Sequence, residues 1–395
     1  METIKPIIYL DNNATTPIDK RVLEAMMPFL TYNFANANST HQFGVGAYEA
    51  VKNARSQVAE LIGADSHEII FTSGATEAIN LAIKGVAENY KEKGKHIITV
   101  STEHTAVLDT CKYLETKGYE VTYLPVLSDG LIDLNVLKNI LRLDTILVSV
   151  MYVNNETGVI QPIKEIAAMV HNAGALFMAD GTQAVGKLPI NVDEDGIDLM
   201  CFSGHKIYAP KGVGALYIRQ KGNRVKIQAL IHGGGHERGF RSGTLNVPGI
   251  VALGCACSLA QKEMKQDQQS IEALRDYLEG ELLKIEGTKV NGNSIHRMYN
   301  VTNICFKGVD SDAMIMGLSN PENDLPLIAV SNGSACTSMS MEPSHVLKAL
   351  GLSDEDAFAS LRFSLGKYNT MEELEVVIDS LTNVIIGLRA MNPAI

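Results

Sequence analysis

Seven short runs between residues 68 and 218 are apolar throughout, with little alternation: Glu68-Ile-Ile-Phe-Thr, His96-Ile-Ile-Thr-Val, Glu120-Val-Thr-Tyr-Leu, Thr145-Ile-Leu-Val-Ser-Val, Ala175-Leu-Phe-Met-Ala, Leu199-Met-Cys-Phe and Gly214-Ala-Leu-Tyr-Ile. Strands covered on both faces read this way, whereas a strand with one wet face alternates. Most of the runs are separated by segments of helical character. Thr76 to Lys93 sets Leu81 and Ile83 among charges, and Thr105 to Lys117 is of the same kind. The succession predicts an α/β protein with a mainly parallel seven-stranded sheet sandwiched by helices, and a ligand off the C-terminal strand ends.

Beyond about residue 258 the pattern changes to long, charged amphipathic helices with a few strands between them, such as Asn303-Ile-Cys-Phe and Leu327-Ile-Ala-Val. This predicts a second, smaller α+β domain. The last helix opens on a capping box, Thr370-Met-Glu-Glu373, followed by Leu374, Val377, Ile378, Leu381, Ile385 and Leu388 at helical spacing, a core-packing face.

Length and charge narrow the function classes. At 395 residues the chain exceeds the size at which one core stops growing, in keeping with two domains. A net charge of -11, with no basic run, excludes nucleic-acid and anionic-lipid surfaces as natural partners. No apolar stretch reaches the ~18 residues a membrane-spanning helix needs. The six cysteines are too scattered for a disulfide framework and no signal peptide precedes Met1-Glu-Thr-Ile-Lys-Pro, so a reduced, cytoplasmic protein is expected. Cys255-Ala-Cys257 sits in an apolar helical stretch without a second pair, so buried packing, not a metal site, is expected there.

The chemistry gathers at strand ends. Lys206 closes Asp198-Leu-Met-Cys-Phe-Ser-Gly-His-Lys206, and Asp180 closes an earlier apolar strand where a lone carboxylate would be costly. An amine that can form a Schiff base and a carboxylate that can keep a pyridine nitrogen protonated are what pyridoxal 5'-phosphate requires of its protein. Ser73-Gly-Ala75-Thr76-Glu77 follows a strand and opens a helix, so its N–H groups and hydroxyls suit a phosphate, with Ser203 and His205 as further donors. Ordinary strand-to-helix turns use the same residues, and Asp180 can equally serve as a helix cap. His104 can stack on a ring or move protons, and Asn155 and Gln183 can donate to an oxygen, though Asn-Asn is also a turn former. The glycine-rich His232-Gly-Gly-Gly-His-Glu-Arg-Gly-Phe-Arg-Ser-Gly-Thr244 suits an anion or a solvated hairpin. Cys336 stands among small polar residues in Val330-Ser-Asn-Gly-Ser-Ala-Cys336-Thr-Ser, a setting for an exposed, reactive thiol.

Tyr9-Leu-Asp-Asn-Asn-Ala-Thr-Thr-Pro17, Ser73-Gly-Ala-Thr-Glu77, Ser203-Gly-His-Lys206, His232-Gly-Gly-Gly-His-Glu-Arg238 and Gly333-Ser-Ala-Cys-Thr-Ser338 together resemble the signatures of the group I cysteine desulfurases of the NifS/IscS type, within the class V aminotransferases. The resemblance covers nearly the whole chain. It implies a fold type I pyridoxal 5'-phosphate enzyme, a homodimer with a large cofactor domain, 18–258, and a small domain, 1–17 plus 259–395, carrying a catalytic cysteine loop. It further implies Lys206 as the Schiff-base lysine, Asp180 as partner of the pyridine nitrogen and His104 as the ring-stacking, proton-transferring histidine. Ala75, Thr76, Ser203 and His205 would hold the phosphate, with Thr244 reaching it from the other subunit. Asn155 and Gln183 would contact the phenolate oxygen or substrate, Arg362 the substrate carboxylate, and Cys336 would take the sulfur. Alanine and a persulfide would result, for delivery to an acceptor such as an iron-sulfur scaffold. The chain ends at Met391-Asn-Pro-Ala-Ile395, short of the extension that docks such scaffolds, and Lys367 stands where relatives have arginine. Another fold type I lyase or aminotransferase would share Lys206 and Asp180 but leave Cys336 idle. A non-catalytic sulfur carrier would need only Cys336.

Overall fold

The seven apolar runs all become strands of one sheet. In a computed structural model, which describes residues 6–320, 326–333 and 342–391, a short strand β1 (Ile7–Tyr9) precedes helices α1 (Lys20–Thr31) and α2 (Gln42–Ile62). The large sheet comprises β2 (Ile69–Thr72), β3 (His96–Val100), β4 (Glu120–Leu124), β5 (Thr145–Met151), β6 (Leu176–Asp180), β7 (Leu199–Ser203) and β8 (Gly214–Ile218). Their spatial order is β2-β8-β7-β6-β5-β3-β4. Neighbours from β7 through β4 pair in parallel, while β8 runs antiparallel to both β7 and β2. Five of the strands, β2, β3, β5, β7 and β8, are buried at every position, which is why these runs carry no polar alternation. The connecting helices α3 (Ala75–Tyr90), α4 (Thr105–Glu115), α5 (Leu134–Ile140) and α6 (Ile163–Asn172) are amphipathic or short, as expected of crossovers.

The sheet divides two cores. One face packs Ile79, Ile83, Val107 and Leu114 from α3 and α4 against Ile97, Leu147 and Leu216. The other packs Val51, Val58 and Ile62 from α2 against Phe71, Phe177, Phe202 and Tyr217, and continues into the C-terminal part of the chain.

Helix α7 (Val247–Leu282) is 36 residues long, and the expected boundary near residue 258 falls within it. The Asn246 side chain accepts the Gly249 N–H and Pro248 occupies the first turn, where a missing N–H costs nothing. Its first third, through Cys257, is apolar and packs on α1 and α2, with Cys257 fully buried; its remainder shows only one apolar face. After it come β9 (Thr288–Val290), β10 (Val301–Phe306), β11 (Leu327–Ala329) and β12 (Ser360–Ser364). The strands β12-β10-β9 form an antiparallel sheet, and β11 pairs in parallel with the N-terminal β1. The helix opened by the capping box, Met371–Met391, buries Leu374, Val377, Leu381 and Ile385.

Two close approaches shape the sheet's working end. A Cβ at Gly214 would fall 2.7 Å from the Gly74 Cα and 2.6 Å from the Phe202 carbonyl oxygen, so only glycine lets β8 pass behind the turn that opens α3. On the far side of β2, Arg55 of α2 makes a two-pronged ion pair with Glu237 at 2.6 and 2.7 Å, and Glu237 also accepts the Phe71 N–H at 2.9 Å. Glu237 and Arg238 both have positive φ, 49° and 56°, a strained pair held in place by these buried bonds. The segment 232–244 is thus anchored to the sheet edge at its middle.

Candidate active site

The C-terminal ends of β2, β3, β5, β6 and β7 open onto one cavity of about 570 Å³. Ten residues nominated from the sequence line it: Ala75, Thr76, His104, Asn155, Asp180, Gln183, Ser203, His205, Lys206 and Arg362. Thr244 does not; it is exposed. Cys336 lies outside the described residues. The described residues that flank its segment meet at Glu156: Ser344 Oγ donates to Glu156 Oε2 at 2.5 Å, and Gly333, at φ 86°, passes so close that a Cβ would lie 2.4 Å from the same oxygen.

Lys206 follows β7 in a tight turn, and its Nζ donates to the main-chain carbonyls of Asn13 at 2.5 Å and Ala14 at 2.7 Å. These carbonyls belong to the stretch after β1, which crosses the mouth of the sheet. The stretch is fixed there by Asn13 N donating to Ser364 Oγ, Thr16 N donating to the His205 carbonyl, and Asp11 pairing with Arg362 at 2.6 Å. Asn13 and Ala14 received no role from the sequence. Their Asp-Asn-Asn-Ala-Thr-Thr setting was the available signal, but a carbonyl contributes the same group whatever side chain it carries.

At the opposite wall Asp180 is 3 % exposed, and its Oδ1 accepts the Thr182 N–H at 2.9 Å. Its neighbour on β7, Cys201, is a hydrogen-bonded thiol pushed far above its usual range, first by burial and then by the Asp180 charge. The Thr182 hydroxyl is buried with no partner among the described residues. His104 caps α4, with its Nδ1 accepting the Ala106 N–H at 3.0 Å, which leaves the Nε2 position for the ring proton. His205 is pulled down to about 4 by burial and by the charges of Lys206, Lys211 and Lys187, so its ring is neutral at physiological pH. Its Nδ1 lies 3.1 Å from the Thr15 hydroxyl.

Arg362, on β12, is 2 % exposed, donates through Nη1 to the Asn155 carbonyl at 3.1 Å, and keeps a buried Nε with no partner among the described residues. The Asn155 main chain, more than its side chain, is what the structure engages: its carbonyl also accepts Asn13 Nδ2 at 3.1 Å. Gln183 is buried; its Nε2 donates to the Asn13 carbonyl at 2.9 Å and its Oε1 accepts from Lys187 at 2.8 Å.

These residues fit pyridoxal 5'-phosphate. Helix α3 begins at Gly74 with no side-chain cap, so its first-turn N–H groups stand beside Ser203 as an anion site. A Cβ on Gly74 would meet only Ser203 Oγ, at 3.5 Å. The buried Asp180 carboxylate, the orphaned Thr182 hydroxyl and the Lys206 amine line the same chamber, which is of the size a cofactor with its substrate occupies.

Residues 8–377 match the family described as aminotransferase class-V. The chain is 54 % identical over 389 residues to "Cysteine desulfurase IscS" of Pasteurella multocida (strain Pm70), covering 98 % of this chain and 94 % of that one. Among solved structures, a "NIFS-LIKE PROTEIN" superposes with a TM-score of 0.90 at 38 % identity, over 97 % of this chain and all of the other. A structure described as "SspA in complex with cysteine" superposes with a TM-score of 0.80 at 38 % identity, over 93 % and 100 %.

Proposed function

The chain belongs to the aminotransferase class-V family, in its cysteine desulfurase branch, and from that premise we propose that it takes sulfur from L-cysteine, releasing L-alanine and leaving a persulfide on Cys336. The observation that carries the reading is the convergence of Lys206, Asp180 and the α3 N-terminus on one cavity that Arg362 also lines.

Lys206 would carry pyridoxal 5'-phosphate through its side-chain nitrogen, with Asp180 at the pyridine nitrogen, His104 against the ring and Asn155 and Gln183 at the phenolate oxygen. Ala75, Thr76, Ser203 and His205 would hold the phosphate, joined by the partner subunit's Thr244. When bound, the cofactor supplies an electron sink for the charge left as a proton leaves the substrate α-carbon. Lys206 would hold and return that proton at Nζ. The neutral His205 donates a hydrogen bond without adding a second cation beside Lys206. His104, with its proton on Nε2, can deliver it to a leaving group and recover it. The Cys336 thiolate attacks the substrate sulfur: an S–S bond forms, the C–S bond breaks, and the carbon takes a proton to become alanine. The atoms and electrons balance without an external oxidant.

Arg362 orients the substrate carboxylate, with Asp11 and the Asn155 carbonyl presetting the guanidinium plane. Arg362→Lys is expected to raise KM for cysteine about 10- to 100-fold, the loss of one charge-assisted hydrogen bond. Initial-rate kinetics with the cofactor-loaded variant check this.

The persulfide passes to a sulfur-accepting protein, in the first place an iron-sulfur scaffold, and the enzyme works as a cytoplasmic homodimer. Among the described residues no helix is long and apolar enough to cross a membrane. Exposed Leu30, Tyr32, Phe34, Phe43 and Tyr48, on and beside α1 and α2, support a second copy as a partner. The two-domain division, 18–258 against 1–17 plus 259–395, is part of this reading; the β1–β11 pair and the β12-β10-β9 sheet draw only on residues outside 18–258.

The test is product balance. Purified wild type should be yellow and, with L-cysteine and a thiol reductant, release alanine and sulfide in equal amounts. A yellow protein that yields pyruvate and ammonia in place of alanine would instead be a lyase, and a colourless, inert one a carrier.

A further inference from the structure

A second lysine sits beneath the first. Lys187, in the turn after β6, is 8 % exposed, and no carboxylate among the described residues lies within ion-pair distance of its Nζ. Among the described residues its Nζ makes one hydrogen bond, to a neutral group, Gln183 Oε1, at 2.8 Å. Gln183 Nε2 in turn donates at 2.9 Å to the Asn13 carbonyl, the oxygen that Lys206 Nζ reaches at 2.5 Å. Both residues also line a smaller cavity of about 30 Å³.

We propose that Lys187 is a positioning residue for Lys206: it aims Gln183 at the Asn13 carbonyl that receives the Lys206 ammonium, and its own charge sets how readily Lys206 gives up a proton. The inference rests on Lys206 being the reactive amine.

The geometric half follows from donor and acceptor chemistry. A charged lysine offers only N–H groups, so it fixes the Gln183 amide with oxygen toward Lys187 and nitrogen toward the Asn13 carbonyl. Without that donor the amide is free to turn over and present its oxygen to the Asn13 carbonyl, where two acceptors would repel.

The electrostatic half comes from what surrounds the amine. Lys206 and Arg362 act on it directly, and burial followed by their two charges pulls Lys187 down to about 7. The small cavity is also lined by Asp19, Glu263, Asp267 and Lys367 and by Tyr208 and Tyr299. Asp19 is held by Arg21 and Lys367, and Glu263 by Arg21, so neither carboxylate is available to neutralise Lys187. Burial raises Asp267, with the Lys367 charge acting against it. The sign follows: Lys187 is charged below its midpoint and neutral above it. As pH falls through about 7 it gains a charge that opposes the one on Lys206.

The experiment is competitive labelling of the cofactor-free protein with a small amine-acylating reagent across pH, read at Lys206 by peptide mass spectrometry. Lys187→Arg, which keeps a permanent charge, should lower the Lys206 midpoint by about one pH unit. Lys187→Met, which removes charge and donor at similar volume, should not lower it. In the cofactor-loaded protein, the wild-type visible absorbance should show a pH-dependent change that Lys187→Met lacks, a readout that decides the matter even if Lys187→Arg does not fold. An unmoved midpoint in Lys187→Arg, an equal fall in both variants, or the same absorbance titration in Lys187→Met would each overturn the proposal. Lys206 should be protected from the reagent when the cofactor is loaded. Equal labelling with and without cofactor would remove the assignment of Lys206, and this inference with it.

Discussion

Lys206→Ala should purify without a bound chromophore on its side chain and turn over cysteine roughly 10³-fold or more slowly than wild type, the loss of both an anchoring amine and a general base. The size of the effect follows from the site's construction. Two other amines stand in the neighbourhood: Lys211 lines the same cavity, and Lys187 is turned toward Gln183, whose amide donates to the Asn13 carbonyl; no described contact places either on the Asn13 and Ala14 carbonyls that hold Lys206 Nζ. Added small amines should therefore restore part of the rate, while stability is little changed, because the side chain is only half-buried and the Asn13 carbonyl keeps its bond from Gln183 Nε2. The checks are the visible spectrum, sulfide release and a urea melt. A yellow, active Lys206→Ala protein would end the present reading of the cavity.

Cys336→Ala should behave in the opposite way: fully yellow, with cofactor held as in wild type, yet with sulfide and alanine release reduced roughly 10³-fold or more. No cysteine is among the described residues that line the cavity, so none there can replace it as a sulfur acceptor. The other cysteines are chemically unsuited, since Cys111, Cys201, Cys257 and Cys305 are buried and raised by that burial, so little thiolate is present at neutral pH. Cys255 is only partly buried but is raised too, and it sits on α7 beside Arg21, not on the cavity. Trapping of labelled sulfur on the wild-type protein and its absence from Cys336→Ala is the direct measurement. Sustained turnover in the variant would favour the lyase or aminotransferase alternative.

What could be seen in the sequence was what side chains announce. Apolar runs marked all seven strands of the large sheet, because burial on both faces leaves a compositional mark; the exception is the edge strand β4, which is exposed or half-buried everywhere but at Leu124. Asp180 and Lys206 stood out because a charge at the end of such a run is expensive unless it is used. The less legible part was made of main chain and of long-range packing. The carbonyls of Asn13 and Ala14 have no signature of their own. The continuity of α7 through residue 258 was obscured because its apolar pattern changes from nearly all round to one-sided partway along. The ion pair of Arg55 and Glu237 joins residues 182 positions apart, and neither local pattern hints at the other. Lys187 is the sharpest case: in sequence it is one more polar residue in a turn, and only the fold reveals that it is buried with no counter-charge among the described residues.

The stretch after β1 closes the site from the wrong end of the chain. Asp11 reaches Arg362 across 351 residues and Asn13 reaches Ser364 across 351, so the carbonyls that steady Lys206 are seated only after almost the whole polypeptide exists. During synthesis the large sheet can assemble while its first thirteen residues still wait for β12 to leave the ribosome. Cofactor capture then reports on a finished chain: a nascent or prematurely ended product has the lysine but not the frame around it, and remains chemically silent.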